Sequence, residues 1–263
     1  MTGGVKSALY AIAVFGFVTA AGLPLQAAEP SAIGIWRGTL TLDNARDKEP
    51  HIETKAALHL RGAGEASELF VDRLGRALPV GEVFRNPNGT TDIYAGAAPS
   101  IELRGIRFAK DRFDSAAIHE NEARALWSGK ASFARVKLLS APSGKPKCDG
   151  APASLGALCG AWSGISLRGQ PKLLIVDSVT RNKQKIAWEL KAKQVWGGES
   201  DLASAGMSFP YTIYITDEEL PLAALFLRTT GRIAYRFDIG GDTLTGGSIS
   251  DAADKTVYVR AGR

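Results

Sequence analysis

Short runs of alternating apolar and polar residues dominate the chain. Such alternation has the period of a half-buried β-strand, in which successive side chains point to opposite faces. Two continuously apolar runs, residues 173–176 and 222–227, predict strands that are covered on both faces. Sustained helical periodicity is scarce, so the pattern indicates an all-β protein. The clearest alternating runs are residues 39–42, 57–60, 101–104 and 212–215.

Turn residues separate these runs and predict hairpins. Residues 86–89 read Asn-Pro-Asn-Gly and residues 240–242 read Gly-Gly-Asp, and both suit tight hairpin turns. Residues 115–127 are the best candidate for a helix, but they can also form a hairpin that turns at residues 120–122. An internal repeat favours the hairpin.

Two short motifs recur at nearly constant spacing, which predicts that repeat. Residues 34–38, Gly-Ile-Trp-Arg-Gly, return as Gly-Ala-Trp-Ser-Gly at residues 160–164, an offset of 126. Residues 111–114, Asp-Arg-Phe-Asp, return as Tyr-Arg-Phe-Asp at residues 235–238, an offset of 124. Each half therefore opens with a G-x-W-x-G strand. The predicted organisation is a first repeat at residues 29–141, a linker with Cys148 at residues 142–158 and a second repeat at residues 159–263.

The length of each half limits the possible architectures. A half of about 110 residues with a turn every 8 to 12 residues has room for about eight short strands. An open sheet of that size would leave two unpaired edges, and closing it into an up-and-down barrel removes them. We therefore predict an all-β fold of two tandem small antiparallel β-barrels, with a β-sandwich as the alternative. Whether such a barrel is filled or hollow does not follow from the sequence.

The first 28 residues have the pattern of a signal peptide. Lys6 supplies a basic start, residues 8–25 are almost wholly apolar, and Ala27 precedes the expected cleavage point. The alternative is a membrane anchor, which needs about 20 uninterrupted apolar residues, and Pro24 interrupts this run. Cleavage is favoured, so the protein is predicted to be periplasmic or secreted. No later segment of that length lacks a charge, and no membrane span is predicted after cleavage.

Composition supports a globular protein and narrows the set of partners. The chain is 45% hydrophobic and 22% charged, which is enough apolar material for a packed core. The formal charge of +5 is a mild excess, and Lys and Arg are spread along the chain rather than clustered. Nucleic-acid binding is therefore not predicted.

The two cysteines, Cys148 and Cys159, lie 11 positions apart in a segment rich in Ala, Gly, Pro and Ser. In an oxidising compartment such a pair can close a small loop, and a disulfide is our first interpretation. A metal site would need further ligands at short spacing, and none of the three histidines, His51, His59 and His119, is close in sequence. We predict no metal site and no cofactor.

The G-x-W strand that opens each half resembles the first strand of the calycin group, the lipocalins and avidins. The second half is similar to a lipocalin-like domain of exported proteobacterial proteins. The resemblance implies a tandem pair of barrels in which Trp36 and Trp162 each close one end. It rests on residues 159–167, residues 173–179, residues 185–190 with Trp188, and residues 257–260.

This sequence lacks one feature of the calycin group, the polar residues of avidin-type sites, and has a candidate for another, the basic residue that packs on the first tryptophan. Avidin-type sites place polar residues directly after the first tryptophan, but Trp36 is followed by Arg-Gly-Thr-Leu and Trp162 by Ser-Gly-Ile-Ser, so biotin binding is not implied. In lipocalins a basic residue of a late strand packs across that tryptophan, a cation–π contact worth about 0.5–2 kcal/mol. The resemblance gives this role to Arg260 against Trp162. Arg135 lies at a different register in the first half, and no such contact with Trp36 is predicted.

No catalytic signature is present in the sequence. It lacks a G-x-S-x-G elbow, an H-E-x-x-H pair, a phosphate-binding glycine loop and a dinucleotide fingerprint. His119, Glu120 and Glu122 offer an imidazole and two carboxylates for acid–base or metal chemistry. A solvated turn is the favoured interpretation, because charged residues are usually exposed.

Aromatic residues crowd the second half and are the best candidates for a ligand site. Aromatic side chains with polar tips suit an amphipathic molecule or a sugar face, although aromatics more often fill cores. The residues that we predict to line a pocket are Trp188, Tyr211, Tyr214 and Tyr235.

The predicted function is non-catalytic binding of a small apolar or amphipathic molecule, or of a glycan, by an exported protein. One alternative is an enzyme, a hydrolase or an isomerase, that uses a barrel cavity with His119, Glu120 or Asp238 as acid or base. Another is a cell-envelope interaction module whose strand edges and loops contact a protein partner. A cavity lined by the aromatic set would favour binding, whereas convergence of His119 with carboxylates would favour catalysis.

Overall fold

A computed structural model describes residues 32–44, 50–62, 65–123, 125–197, 205–229 and 232–261. The predicted signal peptide, residues 1–28, lies outside the described residues. Within them, none of the helices has the length and apolar character needed to cross a membrane.

Sixteen strands, one short helix and three 3₁₀ turns make up the described chain. The first eight strands are β1 Gly34–Asp43, β2 His51–Leu60, β3 Glu68–Val71, β4 Arg76–Arg85, β5 Thr91–Gly96, β6 Ser100–Ile106, β7 Arg112–Glu120 and β8 Leu126–Arg135. Helix α1, Ala153–Gly156, precedes the other eight. These are β9 Gly160–Ser166, β10 Pro171–Asn182, β11 Ala187–Gly197, β12 Ala205–Ile215, β13 Ala224–Thr229, β14 Arg232–Gly240, β15 Thr243–Ser248 and β16 Thr256–Arg260. The 3₁₀ turns are Asp72–Leu74, Asp217–Glu219 and Ala252–Asp254.

The first eight strands form a closed antiparallel barrel, called the first barrel below. Each strand pairs with the next along the chain, and β1 also pairs with β8, so the sheet has no free edge. The inward positions of the strands carry apolar side chains that fill the interior. Six of them are Leu40, Leu58, Leu69, Ile93, Leu103 and Phe133.

The second eight strands form a nearly closed antiparallel sheet, called the second barrel, in the order β12-β11-β10-β9-β16-β15-β14-β13. Within the described residues, its end strands β12 and β13 contact each other without forming a hydrogen-bonded ladder. We call this gap the seam. Pro210 lies in β12 and has no N–H to donate, which fits an edge strand. The prediction of an all-β fold with two tandem barrels is thus confirmed, with one barrel closed and the other nearly closed.

Most of the local predictions are confirmed. Residues 115–127 form the predicted hairpin of β7 and β8, and the turns at residues 86–89 and 240–242 join successive strands. The prediction for residues 222–227 is wrong. Leu225 and Leu227 are buried but Phe226 is 38% exposed, because β13 is an edge strand whose outer face meets solvent.

Residues 173–176 are buried on both faces, as predicted. Leu174 and Val176 belong to the interior of the second barrel. Leu173 and Ile175 point outward and pack with Leu139, which lies in the segment that follows β8. The outer face of β10 is therefore covered by the chain that connects the two barrels.

The predicted disulfide between Cys148 and Cys159 is present, with a Cα–Cα distance of 6.5 Å. It joins the segment before α1 to the residue that directly precedes β9. Leu155 and Leu158, at α1, are fully buried against the interior of the second barrel. The disulfide and α1 together close one end of that barrel.

Arg168, in the turn after β9, joins the two barrels. Its guanidinium binds Asp72 of the first barrel at 3.0 Å and Asp251 of the second at 3.1 Å, and it lies 5.5 Å from the ring centroid of Phe70. Nearby, His59 Nε2 is 3.0 Å from the carbonyl oxygen of Leu167. These contacts hold the barrels against each other beside the 3₁₀ turn that follows Asp251.

Candidate functional site

One end of the second barrel is sealed by its first tryptophan. Trp162 is 1% exposed and donates from Nε1 to the carbonyl oxygen of Leu158 at 2.8 Å. Arg260, its cross-strand partner, places its guanidinium carbon 3.9 Å from the indole centroid. The same guanidinium donates to the carbonyl oxygens of Cys159 and Ala157. This is the contact that the resemblance implied for Arg260.

The first barrel contains the same arrangement, which corrects the prediction made for Arg135. Trp36 donates from Nε1 to the carbonyl oxygen of Ala32 at 2.9 Å, and the guanidinium carbon of Arg135 lies 4.7 Å from the indole centroid. Arg135 is opposite Trp36 in the β1–β8 ladder, as Arg260 is opposite Trp162 in the ladder of β16 and β9. Spacing along the sequence did not reveal this because register is set by strand pairing.

The interior of the first barrel is filled. A cavity of about 40 Å³ remains between Leu42, Thr54, Ile101 and His119. Pockets for small molecules usually enclose about 300 Å³ or more, so this space is far too small. An open groove of about 670 Å³ crosses the outer faces of β1, β7 and β8, but small side chains line it and no deep wall encloses it.

The residues considered for catalysis do not converge. His119 points into the first barrel, stacks on Trp127 at 5.4 Å and has Nδ1 3.0 Å from the carbonyl oxygen of Ser100. Glu122 lies on the exposed turn and binds Arg76 at 3.0 Å. Among the residues that the structure describes, no three His, Cys, Asp or Glu side chains are grouped to hold a metal ion.

Asp238, the other carboxylate considered, lies on the outer face of β14. It accepts from Arg236 Nε at 2.9 Å, and both side chains are more than half exposed. A paired, solvated carboxylate of this kind has no cavity to act in.

The second barrel differs because polar side chains occupy its interior. The strand registers place Lys172, Gln194 and Trp196 on the inner face together with Leu174. A polar group lies there at the end opposite α1, near the 3₁₀ turn Ala252–Asp254. We call it the Lys172 cluster, and its members are Lys172, Gln194, Trp196, Tyr211, Tyr235, Asp254 and Tyr258.

An ion pair lies at the centre of this cluster. Lys172 is fully buried, forms a salt bridge with the Asp254 carboxylate and lies with Nζ 5.1 Å from the centroid of Trp196. Burial lowers the pKa of Lys172, and the attraction of Asp254 offsets part of that effect. The backbone N–H of Ser248 donates to Asp254 at 2.9 Å and fixes the carboxylate. A Cβ at Gly247 would meet the Asp254 carbonyl oxygen at 2.5 Å, so this close approach requires glycine.

Two polar atoms beside the ion pair have no partner within the described residues. Gln194 is fully buried and donates from Nε2 to the hydroxyl of Tyr258 at 3.5 Å, while its Oε1 makes no hydrogen bond there. Trp196 Nε1 is also buried without a partner in the described chain. A buried polar group left unpaired costs about 1–3 kcal/mol. A hydrogen-bond partner would therefore be favourable for both atoms, with Trp196 Nε1 as donor and Gln194 Oε1 as acceptor.

Two tyrosines complete the cluster on the side of the seam. The rings of Tyr211 and Tyr235 meet edge to face with centroids 6.2 Å apart. Burial raises the pKa of Tyr211 to about 12 and also raises the pKa of Tyr235. Both hydroxyls are neutral at physiological pH, as tyrosine hydroxyls ordinarily are, and can donate as well as accept.

Two inner-face side chains beside this cluster are exposed to solvent. Met207 and Phe209 lie opposite Trp196 and Gln194 in the ladder of β11 and β12, so they share the inner face. They are nevertheless 52% and 38% exposed. Both residues lie near the start of β12, at the barrel end opposite α1, and within the described residues no strand pairs with β12 on the side of the seam. Phe209 packs against Trp196 with centroids 5.3 Å apart and stands between the cluster and solvent.

The structure brings together two of the four aromatic residues predicted to bind a ligand. Tyr211 and Tyr235 belong to the cluster, whereas Trp188 lies at the other end of the barrel and donates to Asp217 at 2.9 Å. Tyr214 lies on the outer face of β12 beneath Lys185, whose Nζ is 3.5 Å from its ring centroid.

Sequence reasoning missed Lys172 and Gln194, although a signal was present. Lys172 precedes a buried apolar run and shares its strand face with Leu174, which is an unusual place for a charge. Its partner Asp254 is 82 positions away, so no local motif records the pair.

No protein-family model matches the chain, and no curated protein matches it significantly. One matching solved structure is a protein of unknown function from the DUF3598 family of Nostoc punctiforme. It is 10% identical with a TM-score of 0.25, and the match covers 87% of this chain and 94% of that chain. This likeness does not bear on function.

Proposed function

We propose that the protein is an exported, periplasmic or secreted binding protein whose second barrel takes up a small amphipathic molecule through the seam. The observation that carries the proposal is the exposure of Met207 and Phe209 on the inner face of β12. Behind them lie the buried, unpaired polar atoms of Gln194 and Trp196. Apolar walls with a few convergent polar groups are typical of small-molecule sites.

Binding fits this arrangement better than catalysis. Lys172 is already paired with Asp254, and burial raises the pKa of Tyr211 and Tyr235 further above physiological pH. A general acid or base needs a pKa near the working pH and room to exchange its proton. The cluster instead offers fixed hydrogen-bonding groups surrounded by aromatic rings.

The two barrels are proposed to be duplicated copies of one lipocalin-like unit. The contact of an arginine in the last strand with the first tryptophan supports this, since it occurs at corresponding ladder positions in both barrels. In this proposal the first copy has become a filled barrel and the second has kept its opening. The Cys148–Cys159 disulfide supports an oxidising compartment.

Native mass spectrometry of the protein purified from its own export compartment tests this proposal. Wild-type protein is expected to carry a small-molecule adduct, and Trp196→Phe is expected to carry about three- to tenfold less, since one hydrogen bond to the ligand is lost. Trp127→Phe is the matched control, because Trp127 Nε1 is also buried without a partner in the described chain but lies in the filled first barrel.

Trp127→Phe should retain the adduct at the wild-type level. The proposal fails if the wild-type protein carries no adduct, or if the two variants carry it equally.

A further inference from the structure

We infer that the molecule bound by the second barrel is uncharged and presents a hydroxyl group to Gln194 and Trp196. This inference rests on the proposed function and names the chemical class of its ligand. It follows from the balance of charge in the Lys172 cluster and from the polar atoms that the cluster leaves unpaired.

The charges of the cluster are already balanced. The Lys172 ammonium is bound by the Asp254 carboxylate, and that carboxylate is fixed by the Ser248 N–H and by its place in a 3₁₀ turn. An anionic ligand would have to displace Asp254 to reach Lys172, and a cationic ligand would compete with Lys172 for Asp254. Either exchange leaves a buried charge without its partner, which is strongly unfavourable.

The two unpaired atoms require complementary chemistry from the ligand. The indole Nε1 of Trp196 can only donate, so it needs an acceptor. The amide of Gln194 uses one polar atom on Tyr258 and leaves the other free. A hydroxyl can both accept and donate, so it satisfies the indole and either orientation of the amide. Gln194 and Trp196 lie two positions apart in β11, so both side chains point to its inner face. Their Cα atoms are about 7 Å apart.

The rest of the site is apolar and suits the body of an amphipathic molecule. Phe209, Tyr211 and Tyr235 present aromatic rings between the seam and the polar atoms. A hydrocarbon portion can therefore lie along the rings while the hydroxyl reaches Gln194 and Trp196. A hydrocarbon without a polar group would leave both atoms unpaired and bind more weakly.

Three probes of equal chain length test the inference: 1-octanol, octanoate and octylammonium. The readout is the indole N–H region of the nitrogen–proton NMR spectrum of the labelled full chain, which contains five tryptophans. Trp196→Phe identifies the Trp196 signal by its loss. Octanol is expected to move the Trp196 signal to higher frequency, as a new hydrogen bond requires, and to leave the Trp127 signal unchanged.

Octanoate and octylammonium are expected to require at least tenfold higher concentrations for the same shift. Gln194→Leu should weaken octanol binding by about three- to tenfold, with an otherwise unchanged spectrum showing that the fold is intact.

The outcomes separate the inference from the proposed function. If octanoate or octylammonium moves the Trp196 signal at the same or a lower concentration than octanol, the inference is overturned and the binding function stands. If octanol binds without moving the Trp196 signal, the inference is again overturned. If none of the probes affects any indole of the second barrel, both the proposed function and the inference are rejected.

Discussion

Replacement of Asp254 by alanine is expected to lower the free energy of unfolding by about 3–5 kcal/mol, because it leaves the fully buried ammonium of Lys172 without its partner. The double variant Lys172→Met/Asp254→Ala should recover most of that loss, since it removes both charges and keeps an unbranched side chain in the barrel. Chemical denaturation monitored by tryptophan fluorescence measures the free energy of unfolding of the wild-type protein, the single variant and the double variant.

Asp238→Ala is the matched control for this experiment. It also removes a carboxylate from an ion pair, but that pair with Arg236 is solvated and is worth at most about 1 kcal/mol. A loss in Asp254→Ala no larger than in Asp238→Ala would show that the Lys172 ion pair is not buried as described.

The loss of unfolding free energy caused by Asp254→Ala should also depend on pH. Burial lowers the pKa of Lys172 in the folded protein below its ordinary value of 10.5, so the unfolded chain binds more protons between the two values. Stability therefore rises with pH through that window. The rise should be steeper in Asp254→Ala than in wild type, because the carboxylate that opposes the shift is gone. Measurements at pH 7–9.5 avoid the tyrosines, whose raised pKa values act above about pH 10.

Removal of the disulfide is expected to have the second largest effect. The variant Cys148→Ser/Cys159→Ser should lose roughly 2–4 kcal/mol of unfolding free energy, as expected when a short closed loop is released. The segment that it frees carries Leu155 and Leu158, which are buried beneath the second barrel. The loss should therefore appear in that barrel.

A reducing agent provides the control for the disulfide. It should lower the denaturation midpoint of the wild-type protein to that of the double serine variant and leave the variant unchanged. An unchanged wild-type midpoint under reducing conditions would contradict the structural role given to this bond.

The sequence predicted the features of this fold that depend on neighbours along the chain. Alternation located the strands 39–42 and 101–104 because strand propensity is local. For residues 115–127 the local pattern allowed a helix or a hairpin, and the internal repeat favoured the hairpin that β7 and β8 form. Closure of a barrel, in contrast, depends on strands that are distant in the sequence. Whether β1 meets β8 and β12 meets β13 depends on the register and twist of eight strands, and nothing in the individual runs distinguishes the closed barrel from the open one.

The difference between local and distant contacts also explains which residues of the candidate site could be predicted. Tyr211 and Tyr214 are three positions apart in one strand, so alternation alone places them on opposite faces, and only Tyr211 points inward. The role of Lys172 was not predictable from its neighbours, because its partner Asp254 comes from a turn between two later strands. A site that is assembled from paired strands and distant turns can be identified only from the tertiary structure.

Hydrogen–deuterium exchange of the backbone amides tests most directly the claim that the second barrel is open at the seam while the first is closed. We expect the amides of β12 around Met207 and Phe209, and those of β13, to exchange at least tenfold faster than those of β1 and β8, which pair with each other. Equal protection of β12 and β13 on the one hand and of β1 and β8 on the other would contradict the account, because it would mean that the seam is closed and offers no entrance to the polar interior.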